Sequence, residues 1–242
     1  LELSRQTCGA FDVTVGPLTK LWRRARRREE LPDATDLAEA RALVGYRKLK
    51  ISGRARSEGR GENDSSREDA SQSSTVELLQ PGMRLDFGGI AKGFAVDEAL
   101  QTLRKLGLTR ALVDGSGDIA VGDPPPGAAG WTVEVEPLRG RNDAPLMKLL
   151  LANCAVATSG SAFQSVEIEG RRYSHIVDPR TGLGVEGASS VTVIAPSGMR
   201  ADALASAVSV LRAEAGIRFV ESMKCRGVEV FVVRAGRDSG SD

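Results

Sequence analysis

An α+β fold, with mixed sheets packed against helices, is what this 242-residue sequence predicts. Three observations carry the prediction. Strand-like apolar runs alternate with helical apolar patterns, but no unit repeats strictly, which argues against doubly wound and barrel folds. Hydrophobic residues make up 41%, enough to fill the core of one large domain or two small ones. Residues 52–74, SGRARSEGRGENDSSREDASQSS, contain no Val, Ile, Leu or aromatic residue. Such a stretch cannot bury enough apolar surface to offset its ordering entropy, so it reads as a mobile surface insertion in the folded part.

The elements follow in order. FDVTVGPLTKLW breaks at Gly16-Pro17, after which Leu18, Leu21 and Trp22 recur at helical spacing. RRARRREE, residues 23–30, is a solvated helix face or loop, with nucleic-acid contact as the competing reading. LPDATDLAEARALVGY places an Asp or Thr cap before a short helix that ends near Gly45, and RKLKI is a strand. TVELLQPGMRLDFG resumes a strand–turn–strand pattern. AKGFAVDEALQTLRKLG is a helix stopped by Gly107, with Phe94, Ala95, Leu100, Leu103 and Leu106 as its expected apolar stripe. TRALVDGSGDIAVG is a buried strand and a Gly-rich turn; WTVEVEP and KLLLANCAVATSG are further strands. SVEIEGRRYSHIVDP is a hairpin turning at Glu169-Gly170. ASSVTVIAPSG is a strand, MRADALASAVSVL and IRFVESM are helices, and VEVFVVRA is a closing strand.

Composition removes several function classes. The net charge of +1 gives no broad basic field for nucleic acid, and 4% aromatics gives no base-stacking platform. Cys8, Cys154 and Cys225 are far apart, odd in number and form no C-x-x-C, so neither a zinc knuckle nor a disulfide framework is signalled. No apolar run approaches the ~20 residues of a membrane helix.

Three motifs carry chemistry. In LDFGGIAKGFAVD, Gly88-Gly89 lets the backbone approach a ligand, and the helix that follows offers free N–H groups. Lys92 falls in that helix's first turn, where a cation opposes the dipole, so it calls for an anionic partner. The competing reading is a tight turn with Lys92 in solvent. The stretch is no Walker loop, because GxxxxGK[ST] is absent. In MRADALASAV, Asp202 and Ser206 are four residues apart and share one helix face. Carboxylate plus hydroxyl suits a hard cation such as Mg²⁺; alternatively, Asp202 only complements the helix dipole. His175 is the sole histidine and sits in YSHIVDPRTG. It is either a base titrating near neutrality or a structural group beside a turn of Asp178, Pro179 and Gly182.

Six blocks occur here in order: FDVTVGPLTKLW, LDFGGIAKGFAVDEA, ALVDGSGDIAVG, VATSGS, RRYSHIVDPRTG and VTVIAPSGMRADALASAV. They resemble the successive signature blocks of the ApbE family, the FAD:protein FMN transferases. The resemblance covers nearly all of the chain outside residues 52–74 and implies one catalytic domain over residues 1–242. It implies transfer of FMN from FAD to a threonine hydroxyl of a target flavoprotein, release of AMP, and Mg²⁺ as the metal. By the same resemblance Asp202, Ser206 and the Gly89 carbonyl fall on metal positions. Asp86, Lys92 and Ile176 fall on flavin-nucleotide contacts, Phe11, Asp12, Val13 and Thr14 on the block lining the FAD site, and His175 on the group acting in phosphoryl transfer. Ser206 stands where threonine is common, which keeps a hydroxyl. The family carries a region ahead of FDVTVGP that contributes to FAD binding and is missing here, and the insertion at 52–74 is not part of its pattern. Family resemblance also implies a periplasmic or membrane-facing site at the bacterial cell envelope. Two other readings stay open: a Mg²⁺-dependent FAD pyrophosphatase, and a non-catalytic FAD-binding protein.

Overall fold

The computed structural model of the protein describes residues 1–53, 74–135, 147–160, 165–187, 189–223 and 227–234. Residues 54–73, nearly all of the expected insertion, lie outside the described residues.

The chain opens with α1 (Glu2–Gln6), a loop through Phe11–Val15, and α2 (Gly16–Arg28). Gly16-Pro17 starts α2 rather than only ending what precedes it, because proline at the first turn sacrifices no helical hydrogen bond. α3 (Ala34–Ala42) begins at Asp33, whose carboxylate accepts from the Thr35 and Asp36 amides. β1 (Leu49–Ser52) and β2 (Thr75–Leu78) form an antiparallel ribbon. The second expected strand of TVELLQPGMRLDFG reduces to a single parallel bridge between Val15 and Arg84.

α4 (Ala91–Lys105) follows, then the short hairpin β3 (Leu112–Asp114) and β4 (Ile119–Val121). The buried side of α4 is Gly93, Val96 and Leu100; of the stripe expected from the sequence, Leu100 is buried and Leu103 half-buried, while Ala95 is exposed. Phe94 and Leu106 are 52% and 72% exposed, because the small Gly93 allows α5 to approach and so decides which face turns inward. β5 (Trp131–Val135) and β6 (Met147–Leu151) form a second ribbon, and β7 (Cys154–Gly160) follows a tight turn at Asn153. β8 (Ser165–Ile168), β9 (Arg171–Val177) and β10 (Gly184–Glu186) form a small sheet, with the expected hairpin turn at Glu169-Gly170. β11 (Ser189–Ala195), α5 (Gly198–Leu211), α6 (Ala213–Ser222) and β12 (Glu229–Arg234) complete the order.

The central sheet runs β12-β11-β7-β4-β3, and every ladder in it is antiparallel. Alternation along β7 sorts its two faces. Ala155 packs on Val96 and Leu100 of α4, and Ala157 packs on Leu204 and Val208 of α5. Val156, between them, points to the other face, against Val133, Val135 and Leu151 of the β5–β6 ribbon. Alanines on the helical side let two helices lie close to the sheet. Fully burying each Val or Leu contributes about 1.5–3 kcal/mol. The sheet-facing side of α5 is Ala201, Leu204, Ala205 and Val208, whereas Ala203 and Ala207 pack on Phe11. A separate core joins α2 and α3 to the β8–β10 sheet through Leu18, Trp22, Ala40, Ile168, Tyr173 and Val177. The cavity described below opens between these two bodies of packing.

Candidate active site

The site begins with two helix N-termini brought together. A Cβ on Gly93 would sit 2.1 Å from the Gly198 carbonyl oxygen, and one on Gly198 would sit 2.7 Å from that of Gly93. Only two glycines allow α4 and α5 to start this close. Asp97 then closes the junction: its carboxylate accepts from the Gly198 amide at 2.6 Å and the Met199 amide at 2.8 Å. The Gly93 amide in turn donates to Asp202 Oδ2 at 3.3 Å.

Asp202 is 3% exposed, and Asp118 beside it is 1% exposed. The Asp118 carboxylate comes from the β3–β4 hairpin, where Ser116 and Gly117 turn the chain in the left-handed region and the Gly115 amide donates to the Asp118 carbonyl at 2.8 Å. Lys92 Nζ reaches Asp118 Oδ1 at 2.8 Å, which supplies the anionic partner expected for a lysine in a first helical turn. One ammonium faces two buried carboxylates. Burial first, and the Asp118 charge second, push the Asp202 carboxyl up to about 7, while the Gly93 amide and Lys92 pull it down. Asp118 Oδ2 is buried with no hydrogen-bond donor among the described residues.

Those features fit a hard divalent cation. A buried carboxylate oxygen without a donor, a second acid held partly protonated, and a hydroxyl on the same helix face leave negative charge uncompensated. Gly89 adds a cradle: a Cβ there would lie 2.6 Å from Ser206 Oγ, so only glycine lets this backbone approach the hydroxyl. No group of three or more His, Cys, Asp or Glu residues is placed to hold a metal ion by itself among the described residues. Mg²⁺ often uses only one or two carboxylates and completes its shell with water and phosphate oxygens.

A cavity of about 690 Å³ opens above this floor. Phe11, Asp12, Asp86, Gly89, Lys92, Asp202, Ser206, His175 and Ile176 all line it. Val13 and Thr14 do not. The Thr14 hydroxyl donates to Asp12 Oδ1 at 2.7 Å and accepts from the Gly45 amide at 2.8 Å, and Asp12 Oδ2 accepts from the Tyr46 amide at 2.7 Å. Thus the F-D-V-T stretch is pinned to the segment after α3, and Phe11 and Asp12 are the side chains it presents to the cavity. Asp86 is similarly engaged: it accepts from Thr19 at 2.7 Å, Arg23 at 3.0 Å and the Gly88 amide at 2.9 Å.

His175 is exposed on β9. The D-P-R-T-G stretch after it is a locked turn. Arg180 donates twice to the Asp178 carboxylate, at 3.0 and 2.9 Å, and Gly182 adopts φ +80°. Trp22 Nε1 donates to the Gly182 carbonyl at 2.8 Å, and its ring lies 5.2 Å from that of Tyr173. These contacts hold β9 against α2 and so place the histidine at the cavity. Sequence reasoning did not single out Asp118 or Asp97. Asp118 had one available signal, an acid closing a Gly-rich turn in a block already marked; Asp97 looked like any polar position on a helix.

Comparison with known proteins agrees with this architecture. The ApbE family profile matches residues 1–232. An FAD:protein FMN transferase of Treponema pallidum is 34% identical over 220 residues, covering 87% of this chain and 57% of that protein. One from Haemophilus influenzae is 30% identical, covering 91% and 60%. The apo crystal structure of the flavinyl transferase ApbE of Pseudomonas stutzeri superposes with a TM-score of 0.76 at 32% identity, covering 97% of this chain and 66% of that one. The flavin transferase ApbE of Vibrio cholerae gives 0.77 at 29%, covering 98% and 69%. The chain therefore spans about three fifths of the length of the curated relatives it matches.

Proposed function

The chain belongs to the ApbE family, and on that premise we propose that it transfers FMN from FAD to a threonine hydroxyl of an acceptor flavoprotein, with Mg²⁺ as the metal and AMP as the leaving group. The observation that carries this reading is the buried Asp118–Asp202 pair, held with Lys92 at the floor of a cavity that His175 also lines.

Asp202 and Ser206 would hold the metal, with the Gly89 backbone beside them and Asp118 behind. Bound there, the ion would neutralise phosphate charge, which phosphoryl transfer requires along with positioning. Lys92 is bonded to Asp118 yet 45% exposed along its side chain, so it can present its remaining N–H groups to a diphosphate. The α4 N-terminus adds a backbone dipole of the same sign. His175 takes the proton from the threonine hydroxyl. The threonine oxygen bonds to the FMN phosphorus, the diphosphate P–O bond to AMP breaks, and AMP departs.

The exposure of His175 also favours a competing outcome, because water can take the place of threonine and release free FMN. One assay separates them: protein, FAD, MgCl₂ and an acceptor domain bearing the threonine, followed by a denaturing gel read for flavin fluorescence. Covalent flavin on the acceptor with AMP in solution is the expected result. Free FMN with an unlabelled acceptor would make the protein an FAD pyrophosphatase, and intact FAD would overturn both.

A further inference from the structure

The basic run read from the sequence as a solvated face has a specific position. α2 exposes Lys20, Arg23, Arg24, Arg26 and Arg27. Arg23 and Arg26 line the cavity, flanking Trp22, which packs on Tyr173 two residues before His175. A smaller hollow of about 370 Å³ adjoins the cavity through Thr19, Arg23 and Asp86, and is otherwise bounded by Gly16, Lys20, Arg84 and Leu85. Asp86 is the acid of that hollow, and both its oxygens already accept hydrogen bonds. Cationic charge is therefore in excess along a continuous strip from the hollow to the cavity mouth.

Helix-dipole compensation accounts for Arg26 and Arg27 in the last turn. It does not account for Lys20 near the other end of α2, nor for Arg84 on a different segment. The strip also lies beside the strand that carries His175, where an incoming hydroxyl must arrive.

Resting on the transferase reading, we propose that this strip docks the acceptor protein through an acidic segment next to its acceptor threonine. Complementary charge speeds encounter and rejects wrong partners, and a cavity rim is where such steering acts on the step that follows. The floor of the cavity meanwhile supplies the groups for the nucleotide's own phosphates, so the strip is left for a second anion.

The test uses three synthetic peptides, each with one threonine flanked by Asp, Asn or Lys, against wild type and Lys20→Glu/Arg84→Glu. Binding is read by fluorescence anisotropy at low and high salt, FAD affinity by flavin fluorescence, and flavin attachment by peptide mass. Wild type should bind the Asp peptide about ten- to a hundred-fold tighter than the Asn peptide at low salt, with the preference fading as salt rises. The variant should lose that preference, favour the Lys peptide and keep its FAD affinity. Equal binding of the Asp and Asn peptides, or an unaltered variant, overturns the proposal. Loss of FAD affinity in the same proportion assigns the strip to the nucleotide and also overturns it. A single-stranded oligonucleotide that displaces the Asp peptide at lower concentration overturns it in favour of nucleic acid. Binding as expected, with flavin on no peptide and on no acceptor domain, overturns instead the transferase reading and with it the acceptor as occupant.

Discussion

The floor and the wall of the cavity are built in opposite ways. The floor is largely buried: two glycines fix the α4–α5 junction, Asp97 caps it, Asp118 and Asp202 sit where water is excluded, and the half-exposed Lys92 reaches in to Asp118. The wall is the exposed end of a three-stranded sheet, and His175 stands on it, near solvent. Charge at the floor is strengthened by burial but costs stability until a cation arrives. The imidazole at the wall is exposed and faces what enters the cavity. Substitutions at the floor should therefore change binding and stability together, whereas those at the wall should change rate alone.

The largest expected effect is at the floor. Asp202→Asn keeps the shape and removes the charge, so FMN transfer should be abolished at ordinary Mg²⁺ and return in part when Mg²⁺ is raised. Ser206→Ala should do less harm, because water can replace a neutral ligand. At the wall, His175→Ala should slow transfer by ~10² to 10⁴-fold while leaving the melting temperature and FAD affinity near wild type. A matching fall in stability or FAD affinity would show that the histidine supports the turn instead of the reaction.

The contrast also explains what was legible in the sequence. Asp202, Ser206, Gly89 and His175 belong to blocks whose order marks the family, and the structure gathers all four around one cavity. The Glu169-Gly170 hairpin turn and the Asp33 helix cap were legible because each is set by local chemistry. Asp118 was not, because its role arises only when a hairpin is folded against α4 and α5. The buried face of α4 was misread for the same reason. Phe94 has the hydrophobicity of a core residue, but the face is chosen by Gly93 meeting Gly198, a contact between segments a hundred residues apart. Thr14 belongs to the same block as Phe11 and Asp12, and its hydroxyl is engaged by Asp12 and by the Gly45 amide away from the cavity.

Smaller effects sharpen the same comparison. Gly93→Ala pushes a methyl group into the Gly198 backbone and should cost about 1–3 kcal/mol or more by urea unfolding. The metal-free protein should show the cost of the acid pair directly. The folded-state pKa of Asp202 is raised to about 7 from 3.8, so the native state holds a proton that the unfolded chain releases as pH rises between these values. Stability from this group therefore falls across that range and stays low above it. Without metal, Asp202→Asn should melt higher than wild type at pH 8, with the gap closing as pH falls toward 4. No gap at pH 8 would show that the carboxylate is already compensated. The smallest effect is on the outer face of α4, where Phe94→Ala should stay within about 0.5 kcal/mol of wild type by the same urea measurement, against ~2–5 kcal/mol for Leu100→Ala on the buried face.

Calorimetric titration of Mg²⁺ in the presence of FAD, run on wild type and Asp202→Asn, tests the floor most directly. The buried acid pair predicts a saturable heat in the wild type that disappears, or needs far more Mg²⁺, in the variant. Equal Mg²⁺ affinity in the two proteins would contradict the assignment and leave Asp202 as a buried acid with no metal to hold.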